Sequence, residues 1–289
     1  MAKQRIHLVI IDPQNDFCDL PETHRPMASD GSRLTPSLSV PGAHADLQRV
    51  AGLIERGGAG LSAITVTLDA HQRLDIAHPG FWRQGDGSPV GAFTPITAAD
   101  VRAGRYRPRD AAAMQRVLAY LDALEAAARY THMVWPVHCE IGSWGQAVHA
   151  DLRRAYNAWE EAYGIGVAKV LKGDNPWTEH FSAIQAEVPQ ADDAGTQANR
   201  ALLDELRAAD LVLLCGEAGS HCVKATTEHI AADFPAAERG KLVLLTDCMS
   251  PVGGFEAQQG AFIDAMRASG LRTATAAEML PVMQANATT

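Results

Sequence analysis

Apolar residues in this chain come in short unbroken runs rather than in strict alternation. HLVII (7–11), LSAITVTL (61–68), HMVWPV (132–137), VAKVL (167–171), LVLLC (211–215) and KLVLL (241–245) each stop at a polar or small residue. A run that is apolar on both faces reads as a strand buried on two sides. Strands are therefore predicted over 7–12, 61–69, 132–138, 167–171, 211–215 and 241–247, with a short further one near 271–274. Amphipathic stretches between them predict helices over 43–56, 111–128, 145–163, 197–208, 221–234 and 254–269. Strand–helix alternation of this kind specifies a mostly parallel sheet covered on both faces: an α/β chain with three α/β/α layers and a doubly wound, Rossmann-like sheet of about six strands. No linker composition divides the chain, so residues 1–289 are expected to form a single domain, with an insertion around 72–130. The segments 19–42 and 72–110, rich in Pro, Gly, Ser and Asp, are long for connections and are expected to serve as lids or subunit contacts.

Ligands of such sheets bind beyond the carboxyl ends of the strands, and the polar residues of this chain collect there. The first strand ends in Asp12, the second in Asp69, the third in His138-Cys139, the fourth in Lys172 and the fifth in the bend CGEAGSHC (215–222). Cys222 falls at the start of a predicted helix, where the positive end of the helix dipole lowers a thiol pKa. Gly216, Ala218 and Gly219 keep the preceding turn narrow enough for backbone N–H groups to face a developing oxyanion. The octapeptide alone reads equally well as a buried Cys in a Gly-rich turn. With Asp12 as base and Lys172 as charge stabiliser, the set matches a nucleophilic amidase. Asp69 and His71, two apart in an extended segment, point the same way, and His138 adds a third donor. Such a set suits Zn²⁺, Mn²⁺ or Fe²⁺ with positions left open for a substrate. His78 stands as a fourth ligand with Asp75 as its competitor, or else as a loop histidine packed beside Pro79 and Trp82.

Composition narrows the classes. The 25 basic and 34 acidic residues give a net charge of −9, and no basic run exceeds two residues. Neither nucleic acid nor an anionic membrane surface is an expected partner. No apolar stretch reaches bilayer length, and the opening MAKQRIHLVIID reads as a first strand rather than a signal peptide. Five cysteines without a CxxC pair point to free thiols in the cytoplasm.

The motifs IDPQNDFC (11–18), LDAH (68–71), WPVHC (135–139), LKG (171–173), GEAGSHCV (216–223) and TDCMSPVGG (246–254) together resemble the nicotinamidase branch of the isochorismatase-like cysteine hydrolases, in the family's order from about residue 5 to 280. The resemblance implies a triad of Asp12, Lys172 and Cys222. It implies an oxyanion hole from the backbone N–H groups of Ala218 and Cys222, with a cis peptide between Glu217 and Ala218. Asp69, His71 and His138 map onto metal ligands, zinc foremost, and Phe17 and Trp135 onto the aromatic pair that flanks a flat ring. The implied reaction converts nicotinamide to nicotinate and ammonia through a cysteine thioester, a step of NAD salvage, and many relatives are homo-oligomers. A sister hydrolase of another small amide or carbamoyl compound is the alternative, ahead of an isochorismatase-type enzyme or a silent binding protein. Three departures stand out: Gly219-Ser220 replaces the frequent Thr-Asp, HQRLD (71–75) replaces HPxxH, and the stretch between His71 and His138 is long.

Overall fold

The computed structural model describes residues 3–288. In chain order the elements are β1 (Ile6–Ile11), α1 (Ala43–Gly57), β2 (Ala63–Asp69), β3 (Trp82–Gln84), β4 (Thr94–Pro95), α2 (Ala98–Arg102), β5 (Tyr106–Pro108), α3 (Met114–Ala127), β6 (Met133–Val134) and α4 (Ala150–Tyr163). There follow β7 (Ala168–Lys172), α5 (Arg200–Arg207), β8 (Leu211–Gly216), α6 (Cys222–Asp233), β9 (Leu242–Leu245), α7 (Glu256–Ala268), β10 (Arg272–Ala274) and α8 (Ala276–Ala287).

Six parallel strands form the central sheet in the order β10-β9-β8-β1-β2-β7. From β1 the chain steps one way, through α1 to β2 and through α4 to β7. From β8 it steps the other way, through α6 to β9 and α7 to β10. Right-handed crossovers in opposite directions place their helices on opposite faces, which yields the three α/β/α layers. The direction reverses between the neighbours β1 and β8, so a crevice opens where Asp12 follows one and the 216–222 bend follows the other. Both central strands are fully buried along their length, as unbroken apolar runs require. No helix among the described residues is long and apolar enough to cross a membrane.

Two expectations are corrected. The segment 132–138 is not a strand of the central sheet: only Met133 and Val134 are extended, and they pair antiparallel with β4. Trp135 N–H is taken by the carbonyl of Ala77, and Pro136 has no N–H to offer a ladder. The sixth place in the sheet goes to the short β10. The second correction concerns β7, whose apolar sequence suggested burial; it is an edge strand with Leu171 64% exposed, and Lys172 is its one buried side chain. Residues between His71 and His138 bury a second apolar cluster around Trp82, Ile96, Val117 and Leu121, so the long stretch has a small core of its own. The pattern also missed α8. Its Thr275 and Glu278 form a reciprocal capping box, a signal visible in the spacing. The helix packs on α1 where Gly60 leaves room; a Cβ there would lie 1.9 Å from the Met283 carbonyl oxygen.

Candidate active site

Each side chain in the crevice is delivered by a strand end. Asp12 follows β1 with φ 44°. Its N–H donates to the carbonyl and to Oγ1 of Thr67 at 3.2 and 3.1 Å, while the Thr67 hydroxyl donates to Asp12 Oδ1 at 2.5 Å. Lys172, opposite Asp69 in the β2–β7 register, is 1% exposed. Its ammonium lies 2.8 Å from Asp12 Oδ2, 3.0 Å from Asp69 Oδ1, 3.0 Å from the His180 carbonyl and 3.7 Å from Cys222 Sγ. The structure thus brings Asp12, Lys172 and Cys222 into one contact group.

The bend before Cys222 depends on Gly216. Its φ of +114° belongs to glycine, and a Cβ would stand 2.0 Å from the Ile11 carbonyl oxygen. The Glu217–Ala218 peptide is cis. Ala218 O accepts the N–H groups of His221 and Val223, whereas the amides of Ala218 and Cys222 have no acceptor among the described residues. Cys222 is the first residue of α6, so its amide has no partner within the helix.

Burial changes the expected state of the thiol. It pushes Cys222 well above the usual thiol range, Lys172 pulls it down, and Asp12 and Asp69 push it up again. The dipole argument alone predicted a lowered value; it fails because the sulfur is enclosed with two carboxylates. Burial and the two carboxylates thus favour the protonated thiol. Burial likewise raises Asp12, against the pull of Lys172. For Lys172, burial works downward, but Asp12 and Asp69 hold its pKa well above that of a free lysine.

Beside this group, the donor atoms of His71, His78 and His138 lie within 4.8 Å of one another, all three rings buried. Asp69 Oδ2 is 3.1 Å from His71 Nε2 and 3.4 Å from His138 Nε2. Asp75 stands behind His71, 3.2 Å from Nδ1, and its other oxygen accepts the Ala77 N–H. The geometry gathers His78 with the other imidazoles and leaves Asp75 outside that group, against the Nδ1 of His71.

A cavity of about 30 Å³ adjoins both groups. Phe17, Trp135, Asp69, His138, Ala218 and Cys222 contribute to its wall, together with Leu38, Glu179, Phe181, His221 and Val252. Phe17 lies against His138, ring centres 5.5 Å apart, and Trp135 against His221 at 5.2 Å. Glu179, Phe181 and His221 were not singled out from the sequence. His221 was visible as the neighbour of Cys222, but Glu179 and Phe181 lie in a loop with no periodic pattern. Burial pushes the Glu179 carboxyl up to about 8, and its Oε2 has no partner among the described residues. Thr67 was missed too, although Thr65, Thr67 and Asp69 alternate along one face of β2.

No family model and no curated protein matches the chain; solved structures do. The yeast nicotinamidase bound to the inhibitor nicotinaldehyde is 19% identical over 93% of this chain and 99% of that one, with a TM-score of 0.60. An Acinetobacter baumanii nicotinamidase/pyrazinamidase is 17% identical over 96% and 98%, TM-score 0.61. A Pyrococcus horikoshii pyrazinamidase in complex with zinc is 17% identical over 94% and 99%, TM-score 0.52. The match covers nearly the whole chain, and its fold is that of the nicotinamidases and pyrazinamidases.

Proposed function

We propose that this chain is a cysteine amidase that hydrolyses a small carboxamide, nicotinamide foremost, to the acid and ammonia through a thioester on Cys222. One observation carries the reading: a carboxylate, an ammonium and a thiol from separate strand ends meet, buried, and the thiol of that group lies in the wall of a cavity.

Asp12, held by Thr67 and Lys172, takes the thiol proton as Sγ bonds to the amide carbon. The carbonyl electrons move onto oxygen, where the amides of Ala218 and Cys222 stabilise the anion; one such donor contributes about 3–4 kcal/mol in comparable sites. Asp12 returns the proton to the departing nitrogen, the C–N bond breaks and ammonia leaves. Water then adds to the thioester with Asp12 as base, releasing the acid and restoring the thiol. The raised pKa of Asp12 suits a group that must accept and return a proton near neutrality. Lys172 keeps a positive charge beside both the carboxylate and the sulfur as charge moves between them.

Three imidazoles and the Asp69 carboxylate fit a borderline divalent ion, Zn²⁺ first and Mn²⁺ or Fe²⁺ next, and one structurally similar pyrazinamidase carries zinc. Asp69, His71, His78 and His138 would hold such an ion, and it would supply Lewis acidity toward a ring nitrogen. Phe17 and Trp135 would enclose the ring. Glu179 favours a second reading, another small amide that carries a hydrogen-bonding group, because a bare pyridine ring leaves that carboxyl unpaired.

Ammonia release from nicotinamide, pyrazinamide and a non-aromatic carbamoyl compound, with and without chelator, separates the readings. Replacing Cys222 by Ala is expected to abolish turnover at least 10⁴-fold, an order of magnitude set by loss of a covalent nucleophile, while the thermal transition is kept. Appreciable turnover by Cys222→Ala would overturn the covalent route.

A further inference from the structure

A second histidine cluster lies outside the site described above. His24 belongs to a short helical turn at Glu22–His24, His44 to the first turn of α1, and His149 immediately precedes α4. These three segments are far apart in sequence and meet because α1 and α4 pack together. His44 Nδ1 is 2.8 Å from His149 Nε2. The three ring centres are 4.7, 5.0 and 6.1 Å apart, against 4.7, 5.0 and 5.2 Å for His71, His78 and His138. A carboxylate accompanies this trio as well: Asp151 Oδ2 is 3.4 Å from His24 Nε2, its other oxygen being held by Arg154 at 2.8 Å.

We propose that His24, His44, His149 and Asp151 form a second binding site for a borderline divalent ion, Zn²⁺, Ni²⁺ or Cu²⁺, separate from the catalytic cavity. Three imidazoles and a carboxylate are the donors such ions select. His149 is 0% exposed and its Nδ1 has no partner among the described residues. Its burial, with the neighbouring His44, holds its pKa down to about 4, and burial lowers His44 too. The charges around them are Asp19, which accepts the N–H groups of Gly42 and His44, Asp151, Arg154 and Arg153. Among the described residues only His71, His78 and His138 bring their ligating atoms within 4.8 Å of one another; the 6.1 Å separation here falls between His24 and His149, so an ion would require His24, on the surface in the long 19–42 segment, to turn inward.

An ion there would clamp that segment to α1 and α4. The same segment carries Leu38 into the wall of the reaction cavity, and the His149 N–H donates to the Pro13 carbonyl, next to Asp12. The site thus fastens the surroundings of the catalytic carboxylate without touching substrate.

The test is Zn²⁺ stoichiometry by equilibrium dialysis and elemental analysis on the full chain, for wild type, His24→Ala and the double variant His24→Ala/His44→Gln. Both side chains are outside the main core, and a cooperative thermal transition verifies folding. Wild type is expected to bind one equivalent more than the double variant, with His24→Ala weakened at least tenfold. In a His78→Ala/His138→Ala background the same one-equivalent difference persists, so failure at the catalytic cluster does not affect the outcome. Zn²⁺ is also expected to raise the melting temperature of that background, and not after His24 and His44 are changed. Equal stoichiometry in wild type and the double variant, whether one equivalent or two, overturns the proposal.

Discussion

At the scale of single residues, the chemistry depends on how three charges are held together out of water. Asp12 would be an ordinary low-pKa carboxylate if Lys172 were its only company; burial moves it the other way. Thr67 adjusts the balance, since its hydroxyl donates to Asp12 Oδ1 and favours the ionised form. Thr67→Val keeps the β-branched shape in the strand and removes that donor. A hydrogen bond to a charged group contributes about 1.5–3 kcal/mol, so kcat/KM for amide hydrolysis is expected to fall roughly 10- to 100-fold. The acid limb of its pH profile should move to higher pH, because the neutral acid is then favoured. A variant within twofold of wild type, with an unmoved acid limb, would show that Thr67 does not set the state of Asp12.

At the scale of elements, what the sequence made legible follows from how local each cause is. The central strands were readable because burial on two faces writes itself as an unbroken apolar run, and their polar ends pointed to Asp12, Asp69 and the Cys222 bend; Lys172 was found at the end of a similar run although β7 is an exposed edge strand. The role expected of 132–138 was not readable, because Pro136 and the pairing of Trp135 with Ala77 act across 58 residues of separation, and an apolar run does not state which sheet it joins. The grouping of His78 rather than Asp75 with His71 and His138 was likewise not readable, because which side chains gather is a tertiary fact. The turn at Gly216 is the opposite case: the glycine sits in the sequence at the position where β8 must bend around β1. Gly216→Ala forces a Cβ against the Ile11 carbonyl, a backbone atom that cannot rotate away, at a φ that alanine avoids. Strain of this kind costs about 3 kcal/mol or more. Urea denaturation is expected to show that loss, with amide hydrolysis reduced in the folded fraction because Ala218 and Cys222 follow directly. Stability within about 1 kcal/mol of wild type would mean that β1 and β8 can separate locally without loss of the sheet.

At the scale of the whole molecule, several buried neutral histidines make folding sensitive to acid. His7 lies inside β1, hydrogen bonded to Thr65 Oγ1 at 2.8 Å, and burial, with Arg5 nearby, lowers its pKa to about 4. Burial holds His132 and His180 lower still, each to about 3. In the unfolded chain each of these rings takes up a proton near pH 6.5, whereas in the folded protein it refuses one until about pH 4 or below. Between those values the unfolded state binds more protons. The contribution of each ring to stability is therefore whole above pH 6.5 and is lost as the pH falls toward the folded value, at about 1.4 kcal/mol per pH unit. For His7 this amounts to roughly 3 kcal/mol in all, a large share of the 5–15 kcal/mol typical of a folded chain. Three such groups acting together should bring unfolding close to pH 4–5. Urea midpoints measured at pH 7, 6 and 5 are expected to decline steeply in wild type and less steeply in His7→Gln, whose amide can keep the Thr65 contact without titrating. Parallel declines in the two proteins would assign the acid sensitivity to the carboxylates of the crevice instead, and would place the weakest point of the fold in the site rather than in the strand behind it.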